Sequence, residues 1–121
     1  MATITPTYNL SVDGQNSILT AQWVMVNGDI GVPVRKSGFA DRSVQVTGTF
    51  GAGGNMRWEG SNDTLYATLT DPQGNALDFT AAKIEAVTEL CLMSRPNVTA
   101  GDATTALVVT MIARQATPSR L

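Results

Sequence analysis

Turn signals recur along this chain at intervals of about 8–12 residues, and this spacing constrains the fold more than any other feature. Between the turns lie short apolar and β-branched runs, such as 18–26 (ILTAQWVMV), 43–50 (SVQVTGTF) and 105–113 (TALVVTMIA). Helix formers such as Glu, Lys and Leu are sparse. The pattern predicts an all-β fold, a compact β-sandwich or small β-barrel of about seven to nine short antiparallel strands with at most one short helix.

Three glycine-containing segments are expected to turn the chain back on itself. Asn27-Gly28-Asp29 is the clearest hairpin signal, because Asn-Gly accepts positive φ at both central positions of a turn. The segment 51–54 (GAGG) has strands on both sides and no following helix, which favours a hairpin over a phosphate loop. The segment 71–75 (DPQGN) has the composition of a type I turn.

Two further segments bear on where strands begin and end. The segment 81–90 is the one place where a helix fits the sequence, and a turn leading into a strand is the open alternative. Pro96 is expected to end the element that precedes it, because proline lacks the donor that a strand ladder uses.

The length of 121 residues fits one domain. We expect an N-terminal arm over 1–9, a single β-domain over 10–114 and a flexible C-terminal tail over 115–121. The arm combines Ile4, Pro6 and Tyr8 with threonines, so it is expected to be disordered or to add to a partner's sheet edge. Deletion of residues 1–8 is then expected to weaken binding to that partner while leaving the β-domain folded.

The chain contains no histidine, which excludes Ser-His-Asp and Cys-His catalytic designs and histidine-ligated metal sites. Asp63, Asp71 and Asp102 fall in predicted turns, where aspartate commonly accepts hydrogen bonds from the nearby backbone. A net charge of −2 offers no basic excess for nucleic acid. The composition therefore predicts a protein that is not an enzyme, with no catalytic, cofactor or metal site and no nucleic-acid partner.

The single cysteine, Cys91, excludes an intramolecular disulfide, and its apolar neighbours predict a buried structural thiol. The first ten residues lack the basic and apolar regions of a signal peptide, and no apolar run approaches the ~20 residues of a membrane span. Synthesis in the cytoplasm, with no membrane partner, is the expectation.

Trp23, Trp58 and Tyr66 are the residues that could stack on a sugar or a base. The alternation of the strands around Trp23 and Trp58 favours core packing for both. Arg57 then lies on the opposite, solvated face of its strand.

The stretch from Trp23 to Arg114 resembles a family of small proteins encoded by tailed bacteriophages and prophages. The similar blocks, in order, are 27–33 (NGDIGVP), 40–51 (ADRSVQVTGTFG), 59–63 (EGSND), 69–75 (LTDPQGN), 95–96 (RP) and 99–102 (TAGD). Where the family has Ser-Asn-Asp-Gly-Thr-x-Trp, this chain has SNDTLY at 61–66, without the glycine and the tryptophan.

The resemblance implies a virion structural protein, most like the head decoration (cement) proteins that bind the outer capsid surface and stabilise it. It implies a place on the capsid of a phage assembled in the bacterial cytoplasm, with the major capsid protein as partner. It also implies a homo-oligomer, a dimer or a trimer. The candidate contact residues are Ile4, Pro6 and Tyr8 in the arm and Asp63 and Tyr66 in the 61–66 loop.

Two other functions stay open. One is a carbohydrate- or receptor-binding β-sandwich on the virion, in which Tyr66 would contact the sugar. The other is a tail or neck component, which a low copy number per virion would indicate. Hydrolysis that depends on Asp63 or Asp102 would indicate an enzyme instead.

Overall fold

The computed structural model describes residues 2–14 and 16–116, and within them the chain forms eleven strands and no helix. The strands are β1 (Thr3–Ile4), β2 (Thr7–Asp13), β3 (Asn16–Val26), β4 (Ile30–Gly31), β5 (Ala40–Thr49), β6 (Asn55–Ser61), β7 (Ala67–Thr68), β8 (Asp78–Phe79), β9 (Lys83–Ala86), β10 (Met93–Ala100) and β11 (Ala106–Ala116). The described part of the chain therefore has no helix long and apolar enough to cross a membrane.

The strands form two sheets. Sheet 1 has the order β1-β4-β10-β6-β7, with β8 also paired to β6, and sheet 2 has the order β2-β3-β11-β5-β9. The pairs are antiparallel except β1 with β4. Trp23 of sheet 2 and Trp58 of sheet 1 are fully buried and meet edge to face, with ring centroids 5.6 Å apart. The two sheets thus pack as a sandwich, and the predicted all-β fold is confirmed.

The core follows from strict alternation along the long strands. Every second residue of β3 from Leu19 to Met25 is buried, and the same holds for β11 from Leu107 to Ala113. Burial of each large apolar side chain contributes about 1.5–3 kcal/mol relative to exposure. Core packing of both tryptophans, predicted from this alternation, is confirmed.

The Asn27-Gly28 turn does not make a hairpin. The turn itself forms, since Gly28 has a φ of 85° and Asp29 N donates to Val26 O at 3.1 Å. However, β3 belongs to sheet 2 and β4 to sheet 1. The buried Asp29 carboxylate accepts from Val26 N at 2.9 Å and from Ala2 N at 3.1 Å, which holds the crossing chain against the N-terminal segment.

The 51–54 segment also crosses between sheets, from β5 to β6, so the second predicted hairpin is wrong. The loop 101–105 holds it in place: Ala52 N donates to Asp102 Oδ2 at 2.9 Å, and Thr105 Oγ1 donates to Phe50 O at 2.7 Å. The 71–75 turn does reverse the chain locally, through an antiparallel bridge that joins the residues on either side of it.

The segment 81–90 contains β9, which pairs with β5, so the strand alternative is correct there. Pro96 does not end a strand; it lies in the middle of β10. Ser94 N and Val98 N, two residues to either side, donate away from β6 to the segment 29–34. Pro96 therefore occupies a position whose donor is not used by β6, and its ring packs against Gly31, where a Cβ would lie 2.6 Å from the ring carbons.

Residues 2–9 are part of the two sheets rather than a separate arm. Thr3–Ile4 pair with β4, and β2 pairs with β3 along its whole length, so the expected boundary at residues 9 and 10 falls inside a strand. Deletion of residues 1–8 would remove β1 and shorten β2, so it would not test attachment alone. In the expected tail over 115–121, residues 115 and 116 belong to β11, and 117–121 lie outside the described residues.

Candidate functional site

The aspartates of the turns are structural acceptors. Asp63 Oδ1 accepts from Leu65 N at 2.7 Å, and Asp71 Oδ1 accepts from Asn75 N at 2.9 Å. These backbone bonds lower the pKa of both carboxyls, and the bonds from the Thr104 hydroxyl and the backbone lower the pKa of Asp102 to about 2. Each carboxylate is thus a poor proton donor near neutral pH.

The described residues contain no group of three or more Cys, Asp or Glu side chains that could hold a metal ion. Cys91 is buried, as predicted, and burial raises the pKa of its thiol. A buried thiol with a raised pKa lacks the thiolate that a nucleophile or a metal ligand needs.

Tyr66, at the end of the 61–66 loop, is held against sheet 1. The guanidinium of Arg95 lies 3.7 Å from the centre of its ring, and its hydroxyl donates to Met93 Sδ at 3.7 Å. One ring face is therefore covered by Arg95. Asp63 accepts from the backbone of the loop and from Ser61 Oγ at 3.0 Å, so its first role is to shape the loop.

The five predicted contact residues do not form one site. Pro6 is buried and Ile4 is half-buried against the core, so the candidate role of Pro6 as a contact is wrong for the folded chain. Tyr8 lies on β2 at the edge of sheet 2 and is 48% exposed. Asp63 and Tyr66 belong to the loop of sheet 1 between β6 and β7.

The outer face of sheet 1 carries paired charges. Arg57 Nε lies 3.2 Å from Asp78 Oδ1, and Arg95 Nε lies 3.1 Å from Glu59 Oε1. The predicted outward orientation of Arg57, opposite Trp58, is confirmed by the burial pattern of β6.

Among the residues whose side chains the structure describes, the outer face of sheet 2 carries only the paired charges of Arg114 and Asp41, and we call it the uncharged face. Its outward side chains alternate with the buried core residues of the same strands. They are Thr7, Asn9 and Ser11 of β2; Ile18, Thr20, Gln22, Val24 and Val26 of β3; Ala106, Val108, Thr110, Ile112 and Arg114 of β11; Ser43, Gln45, Thr47 and Thr49 of β5; and Ile84 and Ala86 of β9.

Cross-strand register places these side chains side by side. Val24, Val108 and Thr47 lie directly opposite one another on three neighbouring strands. Val24 is 67% exposed. In the next row, Gln22 Nε2 donates to Thr110 Oγ1 at 3.1 Å, so part of the polar surface is already hydrogen-bonded within the sheet.

Arg114 is the charged side chain of this set, and its guanidinium is paired with the carboxylate of Asp41. The water-exposed face of an antiparallel sheet is ordinarily polar, and depletion of charged residues marks the centre of protein interfaces. Covering such a face removes few charges from water, so its desolvation cost is low. The arrangement suits contact with another macromolecular surface.

The uncharged face was not identified from the sequence, although the sequence shows which outward positions lack charge. The runs 18–26, 43–50 and 105–113 place uncharged residues at nearly every outward position. Only the register of the three strands brings those positions together, and register was not predicted.

The chain matches no protein-family model and no curated protein. Among solved structures, a cupin domain from Bordetella pertussis Tohama I is similar, with 16% sequence identity and a TM-score of 0.41, over 96% of this chain and 99% of that one. A similarity at this TM-score assigns neither a fold family nor an activity.

Proposed function

We propose that this chain is a structural protein of a bacteriophage virion, a head decoration (cement) protein that binds the outer capsid surface and stabilises it. The observation that carries the proposal is the uncharged face, which offers a broad contact surface across the five strands of sheet 2. The sequence blocks that resemble phage proteins supply the class of partner, the major capsid protein.

A repeated lattice makes such a face effective. When copies are joined in a homo-oligomer, each contact needs only modest affinity, because binding of one copy raises the effective concentration of the next at a neighbouring lattice site. Thr, Gln and Val side chains supply hydrogen bonds and apolar contact without unpaired charge. Binding through this face also leaves the paired charges on the outer face of sheet 1 in water.

The proposal is that the chain acts without catalysis. Its turn carboxylates are engaged by the backbone, and its thiol is buried. These groups stabilise the fold and take no part in the proposed contact.

Charge insertion tests which surface binds. Val24→Lys and Thr47→Lys place a cation on the uncharged face at exposed positions, so each variant is expected to fold like the parent chain. We expect both to reduce attachment to undecorated capsids by at least about tenfold, since each would bury an unpaired charge. Cosedimentation of protein with capsids measures the attachment.

Two matched substitutions complete the experiment. Gln73→Lys adds the same charge in the exposed 71–75 turn and is expected to bind normally. Leu65→Lys adds it in the 61–66 loop. If Leu65→Lys loses attachment while Val24→Lys keeps it, the loop is the contact and the uncharged face is not.

Glycan binding is the second candidate, and the contact between Tyr66 and Arg95 favours it. In that case the guanidinium donates hydrogen bonds to the sugar, and the sugar stacks on the ring face that Arg95 does not cover. Tyr66→Ala would abolish binding on a glycan array in that case and leave capsid attachment unchanged.

A tail or neck component is the third candidate. Electron microscopy of the virion distinguishes it from a decoration protein, because a tail or neck component would appear as a small ring of copies instead of a lattice.

A further inference from the structure

The edge strand β2 carries an apolar strip that none of the described strands of sheet 1 covers. Tyr8, Leu10 and Val12 alternate along it, and we call them the β2 strip. Leu10 and Tyr8 lie opposite the buried residues Leu19 and Ala21 of β3, so the strip belongs to the core-facing side of sheet 2. Yet Tyr8, Leu10 and Val12 are 48%, 58% and 70% exposed.

The strip is exposed because sheet 1 is too short on this side. Sheet 1 ends there in β4 and β1, which have two residues each, whereas β2 has seven. Residues 5 and 6 join β1 to β2, so the two edges lie on the same side of the sandwich. The strand β2 therefore extends past the layer that would cover it.

Within residues 2–14 and 16–116, no strand pairs with the outer backbone edge of β2 either. Natural edge strands usually carry a lysine, a proline or a bulge that prevents pairing with another chain. Within β2 the one charged residue is Asp13, at the end of the strand, and Pro6 lies before its first residue. Residues 7–12 contain neither a charge nor a proline, and they pair with β3 in continuous register without a bulge. An unpaired row of N–H and C=O groups thus borders an uncovered apolar strip.

We propose that β2 pairs with the β2 of a second copy of this chain, antiparallel, about a two-fold axis at Leu10. In this register Leu10 faces its own counterpart, and Tyr8 of each copy faces Val12 of the other. Asn9 of each copy faces Ser11 of the other, on the outer face of sheet 2. Between residues 7 and 12 no like charges meet, so the strand is complementary to itself, as a two-fold interface requires.

The geometry of the pairing extends the sheet. The two copies of sheet 2 become one continuous sheet, because the two-fold axis is perpendicular to it. Both uncharged faces then lie on the same side of the dimer, and the two β2 strips lie together on the other side. The dimer would offer a doubled contact face, although the pairing does not depend on what that face binds.

The size of the contact predicts its strength. Standard interfaces use about 20–30 residues from each partner, whereas β2 supplies seven. We therefore expect a weak dimer whose population rises with protein concentration over the micromolar to millimolar range.

Residue Leu10 provides a test that is specific for the two-fold axis. Leu10→Lys and Leu10→Glu each place two like charges opposite one another in the dimer, so each variant alone is expected to be a monomer. An equimolar mixture of the two places opposite charges together and is expected to recover the dimer. Sedimentation velocity measures the mass of each sample from about 1 µM to about 1 mM.

The control is Val24→Lys, which adds the same charge on the uncharged face and is expected to dimerise like the parent chain. Circular dichroism and thermal unfolding check that all variants fold, which the exposure of Leu10 favours. The proposal is overturned if the parent chain stays a monomer at about 1 mM, if Leu10→Lys dimerises like the parent, or if the mixture stays monomeric.

The outcome is separable from that of the proposed function. Val24→Lys is expected to keep the dimer and lose capsid attachment. Leu10→Lys is expected to lose the dimer while each copy keeps its uncharged face. If Val24→Lys keeps capsid attachment, attachment through the uncharged face fails and the dimer is unaffected. If the parent chain stays a monomer, or Leu10→Lys dimerises like the parent, the dimer fails and the proposed function is unaffected.

Discussion

Buried polar side chains connect segments that are far apart in this sequence. Asp29 accepts from the backbone of residues 2 and 26, and so joins the residue that precedes β1 to the last residue of β3. The guanidinium of Arg42 donates to the carbonyls of Phe39 and Lys36 and to Ser94 Oγ. Burial lowers the pKa of Arg42, as expected for a cation that is held by neutral acceptors.

The sequence predicts the hydrogen bonds of some of these polar side chains but not of others. Aspartate in a turn predicts bonds to the neighbouring backbone, and Asp63, Asp71 and Asp102 make them. The bonds of Asp29 and Arg42 reach across the fold, to partners 27 and 52 positions away. Spacing along the chain carries no information about such partners before the topology is known.

Asp102 predicts a specific dependence of stability on pH. Its pKa is about 2 in the folded chain against an ordinary value of 3.8. Because the folded value is the lower one, the ionised carboxylate stabilises the fold above about pH 4, and this contribution is lost as the pH falls from about 4 to about 2. Urea unfolding of the parent chain and of Asp102→Asn measures it.

We expect Asp102→Asn to be less stable than the parent at about pH 5 and the difference to shrink at about pH 2.5. Asp63 and Asp71 also have lowered pKa values, but they are present in both proteins and their effect cancels. An equal difference at both pH values would show that the loss comes from the geometry of the amide and not from charge.

At the scale of elements, strand positions were predictable and strand partners were not. The runs 18–26, 43–50 and 105–113 located β3, β5 and β11 to within about three residues. Turn composition located the bends at 27–29 and 51–54, but each of these bends leads to the other sheet. A turn motif predicts where the chain changes direction. The strand with which the following segment pairs depends on contacts with residues far away in the sequence.

The contact between β4 and β10 gives an element-scale prediction. A Cβ on Gly31 would lie 2.6 Å from the ring carbons of Pro96 and 2.7 Å from Trp23 Nε1. The indole donates to Val32 O at 3.1 Å, so it has little freedom to move. We expect Gly31→Ala to lower the free energy of unfolding by about 1–3 kcal/mol, measured by urea denaturation.

Gly38→Ala is the matched control for this prediction. Its Cβ would meet the terminal amide of Gln115 at 3.1 Å, and an exposed side chain of that length can turn away. We expect a change within about 0.5 kcal/mol. Equal effects at the two glycines would mean that the close approach of β4 to Pro96 does not limit the packing.

At the scale of the whole molecule, the two outer faces of the sandwich differ in kind. The face of sheet 1 carries Arg57 with Asp78 and Arg95 with Glu59, whereas the described face of sheet 2 carries Arg114, paired with Asp41. Apart from Arg114 and Asp41, the charged pairs of the two described outer faces therefore lie on sheet 1. The composition alone predicted a protein without catalytic groups, but not which of its surfaces would be free for contact.

This asymmetry predicts how attachment responds to salt. Raising the ionic strength from about 0.1 to about 1 M shortens the Debye length from ~10 to ~3 Å and weakens attraction between exposed charges. Contact through the uncharged face involves few charges, so we expect the fraction bound to capsids to change less than about twofold over this range. Cosedimentation at a fixed protein concentration measures it, with Gln73→Lys as a control of changed net charge. Release of the protein at high salt would contradict attachment through the uncharged face and would assign it to a charged surface, of which the outer face of sheet 1 is the candidate.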